Sequence, residues 1–350
     1  MMPSPATRSI PVPRRPLRLG VLGAARIAGR SLIPAATAAG DVLVAVAARD
    51  PQRAREYAAE HGFLRAESDY AALLRSPDIE AVYVPLVNSE HAEWAARALD
   101  AGKHVLVEKP IAANADQMEA LARRAAGSGL VLAEAFHYAM HPLWLRVHEV
   151  LGSGQLGTVQ GITIRSEIPA PADSDPRWSL ALAGGSVMDV GCYALHAAES
   201  LGAHFGGTPR VVSATALARP EDAEVDRSLT AELTYPDGTP VHVSSSMDAA
   251  DMEFSLRITG TAGALDVPDF VLPQLDDRLI FGPADAPITE HLGTRASFDF
   301  QLDAFRAAVR GDATFPVSIT ESLHTLRLVD AAYRAAGLAP RPGAELSARV

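Results

Sequence analysis

Cysteine is almost missing from this chain: Cys192 is the single one in 350 residues. No intramolecular disulfide can form and no cysteine-rich zinc site exists, which fits a reducing compartment. Basic residues are also short, 31 Lys and Arg against 42 Asp and Glu, for a formal net charge of −11. Nucleic acid and anionic membrane both demand a basic surface, so neither is expected as a partner. A phosphate-bearing cofactor survives that argument, because a few local Arg and Lys residues serve such a site. Long apolar runs are absent too. No stretch of about 18 uncharged apolar residues occurs, so no membrane-spanning helix is expected. Arg14-Arg15 ahead of Leu17–Leu22 imitates a twin-arginine export signal. That apolar run, however, ends in a glycine turn and reads as the first strand of a fold. The expected location is the cytoplasm, and residues 1–16, rich in Pro, Arg and Ser, read as a disordered tail.

What the chain does contain is an ordinary globular balance, 48% hydrophobic and 21% charged, with length enough for two cores. Residues 17–136 alternate short apolar runs (Leu17–Leu22, Val42–Ala47, Ala81–Val84, His104–Val107, Leu130–Ala133) with helical stretches (Ile27–Ala39, Gln52–His61, Glu90–Ala101, Ala115–Ala126). That alternation predicts βαβ units and a doubly wound parallel sheet, a Rossmann domain. Residues 137–350 change character. Thr158–Glu167, Val211–Ala218, Leu229–Tyr235, Val241–Ser246 and Phe254–Thr259 are β-rich, and helical runs Phe298–Val309 and Thr320–Ala336 close the chain. A C-terminal α+β domain with a large, mainly antiparallel open sheet is expected, which binds substrate and, through its free face, a second copy in a homodimer or homotetramer.

The first strand runs into Gly23-Ala-Ala25-Arg26-Ile27-Ala28. A dinucleotide turn needs small residues there so that backbone approaches pyrophosphate at a helix N-terminus. Two of its three glycine places hold alanine, which weakens the pattern. At the end of the second strand, where NAD sites carry an acid, stand Ala48 and then Arg49. A guanidinium at that place suits the 2′-phosphate of NADP, while Asp50 caps the next helix. Val107-Glu108-Lys109-Pro110 ends a buried strand on the carboxyl edge of the sheet, where ligands of such sheets bind. Farther on, Asp189, Tyr193 and His196 fall at i, i+4 and i+7, one face of a helix if one starts there. They form either an acid/base set or a helix cap, a half-buried phenol and a core imidazole; spacing alone leaves both open. His137 and His141 lack a convincing third ligand, and no metal is expected.

Taken together, Gly20–Ile27, Glu108-Lys109-Pro110, Glu134-Ala-Phe136-His137-Tyr138 and Met188-Asp189-Val-Gly-Cys-Tyr193 resemble the glucose–fructose oxidoreductase/inositol dehydrogenase (Gfo/Idh/MocA) family. The likeness is nearest to its NADP-dependent dihydrodiol and D-xylose dehydrogenase branch. It implies hydride transfer between nicotinamide and an alcohol or carbonyl carbon of a sugar, polyol or diol. It further implies Lys109, Asp189 and Tyr193 as the catalytic set, with Lys109 lowering the pKa of the Tyr193 phenol. Cofactor contacts would come from Gly23, Ala25, Arg26, Ile27, Arg49, Glu108, Lys109 and the Pro85, Asn88, His91 loop. Substrate contacts would come from Lys109, Phe136, Tyr138, Trp178, Asp189, Tyr193 and His196. A ketosugar reductase of deoxysugar synthesis would share these motifs. A non-catalytic nucleotide-binding regulator is the alternative that intact Lys109 and Tyr193 speak against.

Overall fold

The computed structural model of the protein describes residues 15–348. The expected tail therefore lies outside the described residues, apart from Arg15 and Pro16. Those two are not loose: the Arg310 guanidinium donates to their carbonyls at 3.2 and 3.0 Å.

The first half builds β1 (Arg18–Leu22), α1 (Arg26–Arg30), α2 (Leu32–Ala39), β2 (Val42–Ala47), α3 (Pro51–His61), β3 (Arg65–Ala66) and α4 (Tyr70–Arg75). It continues through β4 (Ala81–Val84), α5 (Asn88–Asp100), β5 (His104–Val107), α6 (Ala115–Ala125) and β6 (Leu132–Glu134). The strands form one parallel sheet in the order β3-β2-β1-β4-β5-β6. Helices cover both faces, so the strands read as continuous apolar runs instead of alternating ones. Strand order reverses between β1 and β4, and the crevice above that switch point is where such sheets bind ligands.

The single helix expected over 27–39 is broken at Ser31. Pro34 has no N–H for the Arg30 carbonyl four residues back, and its ring crowds that carbonyl. Ser31 closes the end of α1 instead, its N–H and its Oγ both donating to Ile27 O, at 2.9 and 2.8 Å.

The second half contains α7 (Pro142–Gly152), β7 (Val159–Glu167), α8 (Cys192–Ser200), β8 (Arg210–Arg219), β9 (Asp222–Thr234), β10 (Pro240–Ser246) and β11 (Leu256–Gly260). Then follow β12 (Ala264–Val267), β13 (Arg278–Gly282), β14 (Ile288–His291), α9 (Ser297–Arg310) and α10 (Ile319–Ala335). Its eight strands are ordered β14-β13-β12-β11-β7-β10-β9-β8, antiparallel except for β7 beside β10. Residues such as Ile162, Ile164, Leu229, Val241 and Ile258 form the inner face, in one core with α8 and α10. The strands β12 to β14 escaped the sequence reading because they are four or five residues long and β14 is nearly all exposed.

Packing does not divide cleanly at residue 137. Leu302 and Phe305 of α9 share a core with Leu19, Ile33 and Tyr83, and Leu326 of α10 joins the core under α5 and α6. The chain thus returns to the first sheet after building the second.

Candidate active site

The turn after β1 is held open by its neighbours. Gly23 sits at φ +105°, where side chains are strained, and its N–H donates to Ala47 O at 2.7 Å. Ala25, by contrast, is extended at φ −91°, ψ 137°, which any residue adopts. Two side chains of α3 grip the turn from behind: Arg53 Nη2 donates to Ala24 O at 2.7 Å and Tyr57 Oη to Ala25 O at 2.8 Å. Arg26 is exposed, and Ile27 keeps 39% of its surface open at the crevice. Arg49 is exposed beyond buried Ala48, and Asp50 caps α3 by accepting from Gln52 N at 2.9 Å. A cavity of 410 Å³ opens beside the turn, lined in part by Ala24, Arg26, Arg30 and Arg53. Glu56 and Glu60 line it as well, so its rim is mixed in charge; the backbone turn, apolar Ile27 and the nearby arginines are the parts a phosphorylated dinucleotide needs.

Glu108 lies beneath this turn and does not reach the crevice. It accepts from the Tyr83 hydroxyl, which in turn meets Ser31 Oγ at 3.2 Å, so the end of β5 is tied to the α1–α2 break. Burial pushes both the Glu108 carboxyl and the Tyr83 phenol up from their ordinary values. His91 is buried likewise. Its Nδ1 meets Pro110 O at 2.7 Å and its Nε2 meets Leu86 O at 3.0 Å, and burial lowers it to about 4. Both nitrogens face backbone carbonyls, and the neutral ring donates to one of them, so His91 braces the loop and turns neither nitrogen toward a cofactor. Pro85 is buried, and Asn88 Nδ2 donates across the domains to Ala183 O at 3.0 Å.

Above them Lys109 crosses from the first domain to the second. Its ammonium donates to the Asp189 carbonyl, stands 3.7 Å from Asp189 Oδ1 and lies over the Tyr193 ring, 4.8 Å from its centroid. Burial works against its charge, yet Cys192, Asp189 and Glu108 together outweigh that and raise its pKa. The expected depression of the Tyr193 phenol does not follow. The amine sits at the ring face instead of the hydroxyl, the ring is only 7% exposed, and burial, reinforced by Glu108, pushes the phenol well above its ordinary value. Tyr193 is a neutral proton donor in this state. Its oxygen is 3.3 Å from His137 Nε2.

Two family models match in tandem. One described as an oxidoreductase family with an NAD-binding Rossmann fold covers residues 17–136, and the Gfo/Idh/MocA C-terminal domain covers 144–266. A D-xylose 1-dehydrogenase (NADP(+)) from Haloferax volcanii is 38% identical over 91% of this chain and 97% of its own length. The chain belongs to the Gfo/Idh/MocA oxidoreductase family. A dTDP-3,4-didehydro-2,6-dideoxy-alpha-D-glucose 3-reductase from Streptomyces antibioticus is 39% identical over 73% of this chain and 76% of its own. Among solved structures, a 3-ketoreductase from Actinomadura kijaniata in complex with NADP and TDP-benzene superposes with a TM-score of 0.83 at 29% identity, covering 92% of this chain and 98% of that one.

Within this Gfo/Idh/MocA chain the expected acid/base helix face comes apart. Residues 187–191 form a wider π-helical turn, and α8 starts only at Cys192. Hydrogen bonding to the fifth residue instead of the fourth shifts the angular spacing that assumed a regular helix. Asp189 faces Lys109 and also Arg177, whose Nη1 is 3.1 Å from Oδ2, while Tyr193 faces His137. His196 points inward: fully buried and stacked on Phe136, it meets the Tyr138 hydroxyl at 2.6 Å and Glu321 at 3.2 Å. Phe136 and Tyr138 are fully buried too. These three expected substrate contacts form a packed layer under Tyr193 that substrate cannot touch without rearrangement. Trp178 is covered by Arg219, 4.5 Å from its ring, and donates to Pro171 O at 3.4 Å, an anchor for its own loop. His137 lies in a 3-10 turn and His141 caps α7, so the pair shares no helix face. The sequence reading missed Arg177, Arg53 and Tyr57. Arg177 stood in plain view in Asp175-Pro-Arg-Trp but carried no spacing signal, because its partner Asp189 lies across a loop.

Proposed function

We propose that this protein is an NADP-dependent dehydrogenase/reductase that interconverts the alcohol and carbonyl forms of a carbon in a sugar, polyol or diol. The observation that carries the reading is the half-buried Lys109 ammonium, held between Asp189 and the Tyr193 ring at the mouth of the dinucleotide crevice. The Haloferax D-xylose dehydrogenase supports both the substrate class and NADP. Arg49, with Arg53 behind the turn, is the basic pair that would meet the 2′-phosphate. Gly23, Ala25, Arg26 and Ile27 would hold the rest of the dinucleotide.

Bound NADP(H) supplies or takes up the hydride. Toward reduction, Tyr193 gives its phenolic proton to the carbonyl oxygen as the carbon receives hydride, and the Lys109 charge over the ring stabilises the phenolate left behind. Oxidation runs the same transfers in reverse. Asp189, held by Lys109 and Arg177, keeps the ammonium in place and accepts from a substrate hydroxyl. A reductase of keto-sugars is the second reading, favoured by one feature: the neutral, high-pKa Tyr193 is already in the donor form that reduction needs. The outer face of the eight-stranded sheet, with Thr163, Arg165, Thr230, Glu232 and His242 open or half-open, is where we place self-association. Among the described residues no helix is long and apolar enough to cross a membrane, and we assign the protein to the cytoplasm.

The test is NADP+ and NAD+ reduction with a panel of pentoses, hexoses, inositols and trans-diols, run on wild type and Tyr193→Phe. Tyr193→Phe should lose about 10²–10⁴-fold in turnover while still binding NADPH. Wild-type turnover in that variant rejects Tyr193 as the proton donor.

A further inference from the structure

A buried chain of hydrogen bonds runs backwards from Tyr193. His137 Nε2 is 3.3 Å from the phenol oxygen and its Nδ1 is 2.8 Å from Ser297 Oγ. Ser297 Oγ stands 3.2 Å from Gln274 Oε1, and the Ser297 backbone N–H donates to the same oxygen at 3.4 Å. His137 and Ser297 are both buried. The polarity of this chain is determined from its far end. A backbone N–H can only donate, so the atom it faces is the amide oxygen of Gln274 and not its nitrogen. That oxygen accepts only, and the hydroxyl of Ser297 therefore donates to it. Ser297 has one hydrogen, so toward His137 it accepts, and Nδ1 carries the proton. A neutral imidazole then has a bare Nε2, which takes the Tyr193 O–H. Burial, with the Lys109 charge nearby, lowers His137 to about 3, so the ring is neutral and one nitrogen is bare.

Resting on the catalytic reading above, we propose that His137 is a positioning residue that turns the Tyr193 O–H bond away from the crevice and leaves the oxygen's lone pairs facing the substrate. An alcohol meets that arrangement as hydrogen-bond donor without change. A carbonyl needs the phenol hydrogen swung round first. The site thus favours binding its alcohol form over its carbonyl form, although the phenol is held in the protonated state that donation needs. The chain is not a proton wire, because it ends on an amide oxygen that accepts no proton at working pH.

The experiment reads the tautomer directly. Nitrogen-15 NMR of the imidazoles in wild-type protein, with His137 assigned by its loss in His137→Gln, should show a neutral ring protonated at Nδ1. An Nε2-protonated ring overturns the proposal. Kinetics then ask for its consequence, with D-xylose and NADP+ as the alcohol probe and D-xylono-1,5-lactone inhibition as the carbonyl probe. His137→Phe should raise the KM for D-xylose by about tenfold, the weight of one lost hydrogen bond, with lactone inhibition changed by less than about twofold. His137→Gln, which can place an amide oxygen near the Nε2 position, should recover most of that loss. Equal weakening toward both probes would mean a mere pocket wall and would overturn the proposal. Tyr193→Phe run alongside separates the failures: turnover lost there with His137→Phe indifferent rejects the orientation alone, and turnover retained there rejects the catalytic reading with it.

Discussion

Replacing Arg341 with Met probes how the last segment of the chain holds the site. Arg341 lies beyond α10 in a stretch without regular structure, yet it is 1% exposed. Its guanidinium donates to Gly184 O at 2.6 Å, to Glu224 O at 2.9 Å and to the Asp226 carboxylate, and it lies over the Tyr333 ring at 4.1 Å. Asp226, 0% exposed, in turn accepts from Ser186 Oγ at 2.7 Å and Val187 N at 2.9 Å, the residues that open the π turn bearing Asp189. Breaking a buried pair by removing one partner costs about 3–5 kcal/mol. Asp226 keeps Ser186, Val187 and the Tyr333 hydroxyl at 3.1 Å, so the lower end, about 3 kcal/mol, is expected. A chain of 350 residues unfolding as one unit carries an entropy near 0.7 kcal/mol/K, at about 2.1 cal/mol/K per residue, so Tm should fall on the order of 4 °C. Differential scanning calorimetry measures that, and hydrogen exchange at the Val187 amide should speed up in the same variant. A Tm within about 1 °C of wild type, with Val187 exchange unchanged, would refute the idea that this segment secures the turn.

Arg49→Ala should weaken NADP(H) binding by roughly ten- to a hundredfold, the weight of charge-assisted bonds to one phosphate, and leave NAD(H) nearly untouched; fluorescence titration of both cofactors decides, and equal wild-type affinities would remove Arg49 from the 2′-phosphate. Ala25→Gly should leave the fold intact with cofactor affinity preserved or slightly improved, because the extended backbone there needs no glycine and the methyl only adds bulk at the closest approach; weaker binding would mean that the methyl makes a contact. Glu134, buried where β6 ends and accepting from Ile111 N at 2.9 Å, is pushed up to about 7 by burial. The folded carboxyl there keeps a proton that the unfolded one sheds near 4.5, so its contribution is fully present below about pH 4.5 and is lost as pH rises toward 7, on the order of 3 kcal/mol. Glu134→Gln should flatten the fall of Tm between pH 5 and 7.5; an unchanged slope would assign that pH dependence to other groups.

Most of the first domain was legible in the chain, because short apolar runs, glycine turns and helix caps are local codes. Val42–Ala47 and His104–Val107 emerged with the bounds read from them, and Asp50 caps α3 through its own backbone neighbour. Gly23, Arg49 and Lys109 could be picked out as candidates, since each stands at the carboxyl end of a recognisable strand. The break at Ser31 was readable in principle from Pro34, and β12 to β14 were not, being too short for a periodicity to show. The pairings across long sequence separations were hidden: Lys109 with Asp189 eighty residues on, His137 with Ser297, Arg341 with Asp226. Local pattern carries no information on which distant side chains close on one another. The protonation of the site belongs to the same class. Sequence alone set a lysine and a tyrosine in one constellation, and on that basis the phenol should ionise easily. Only tertiary packing put the ammonium over the ring face and the hydroxyl in a dry pocket against His137, and desolvation then outweighed the nearby charge and kept the proton on the tyrosine.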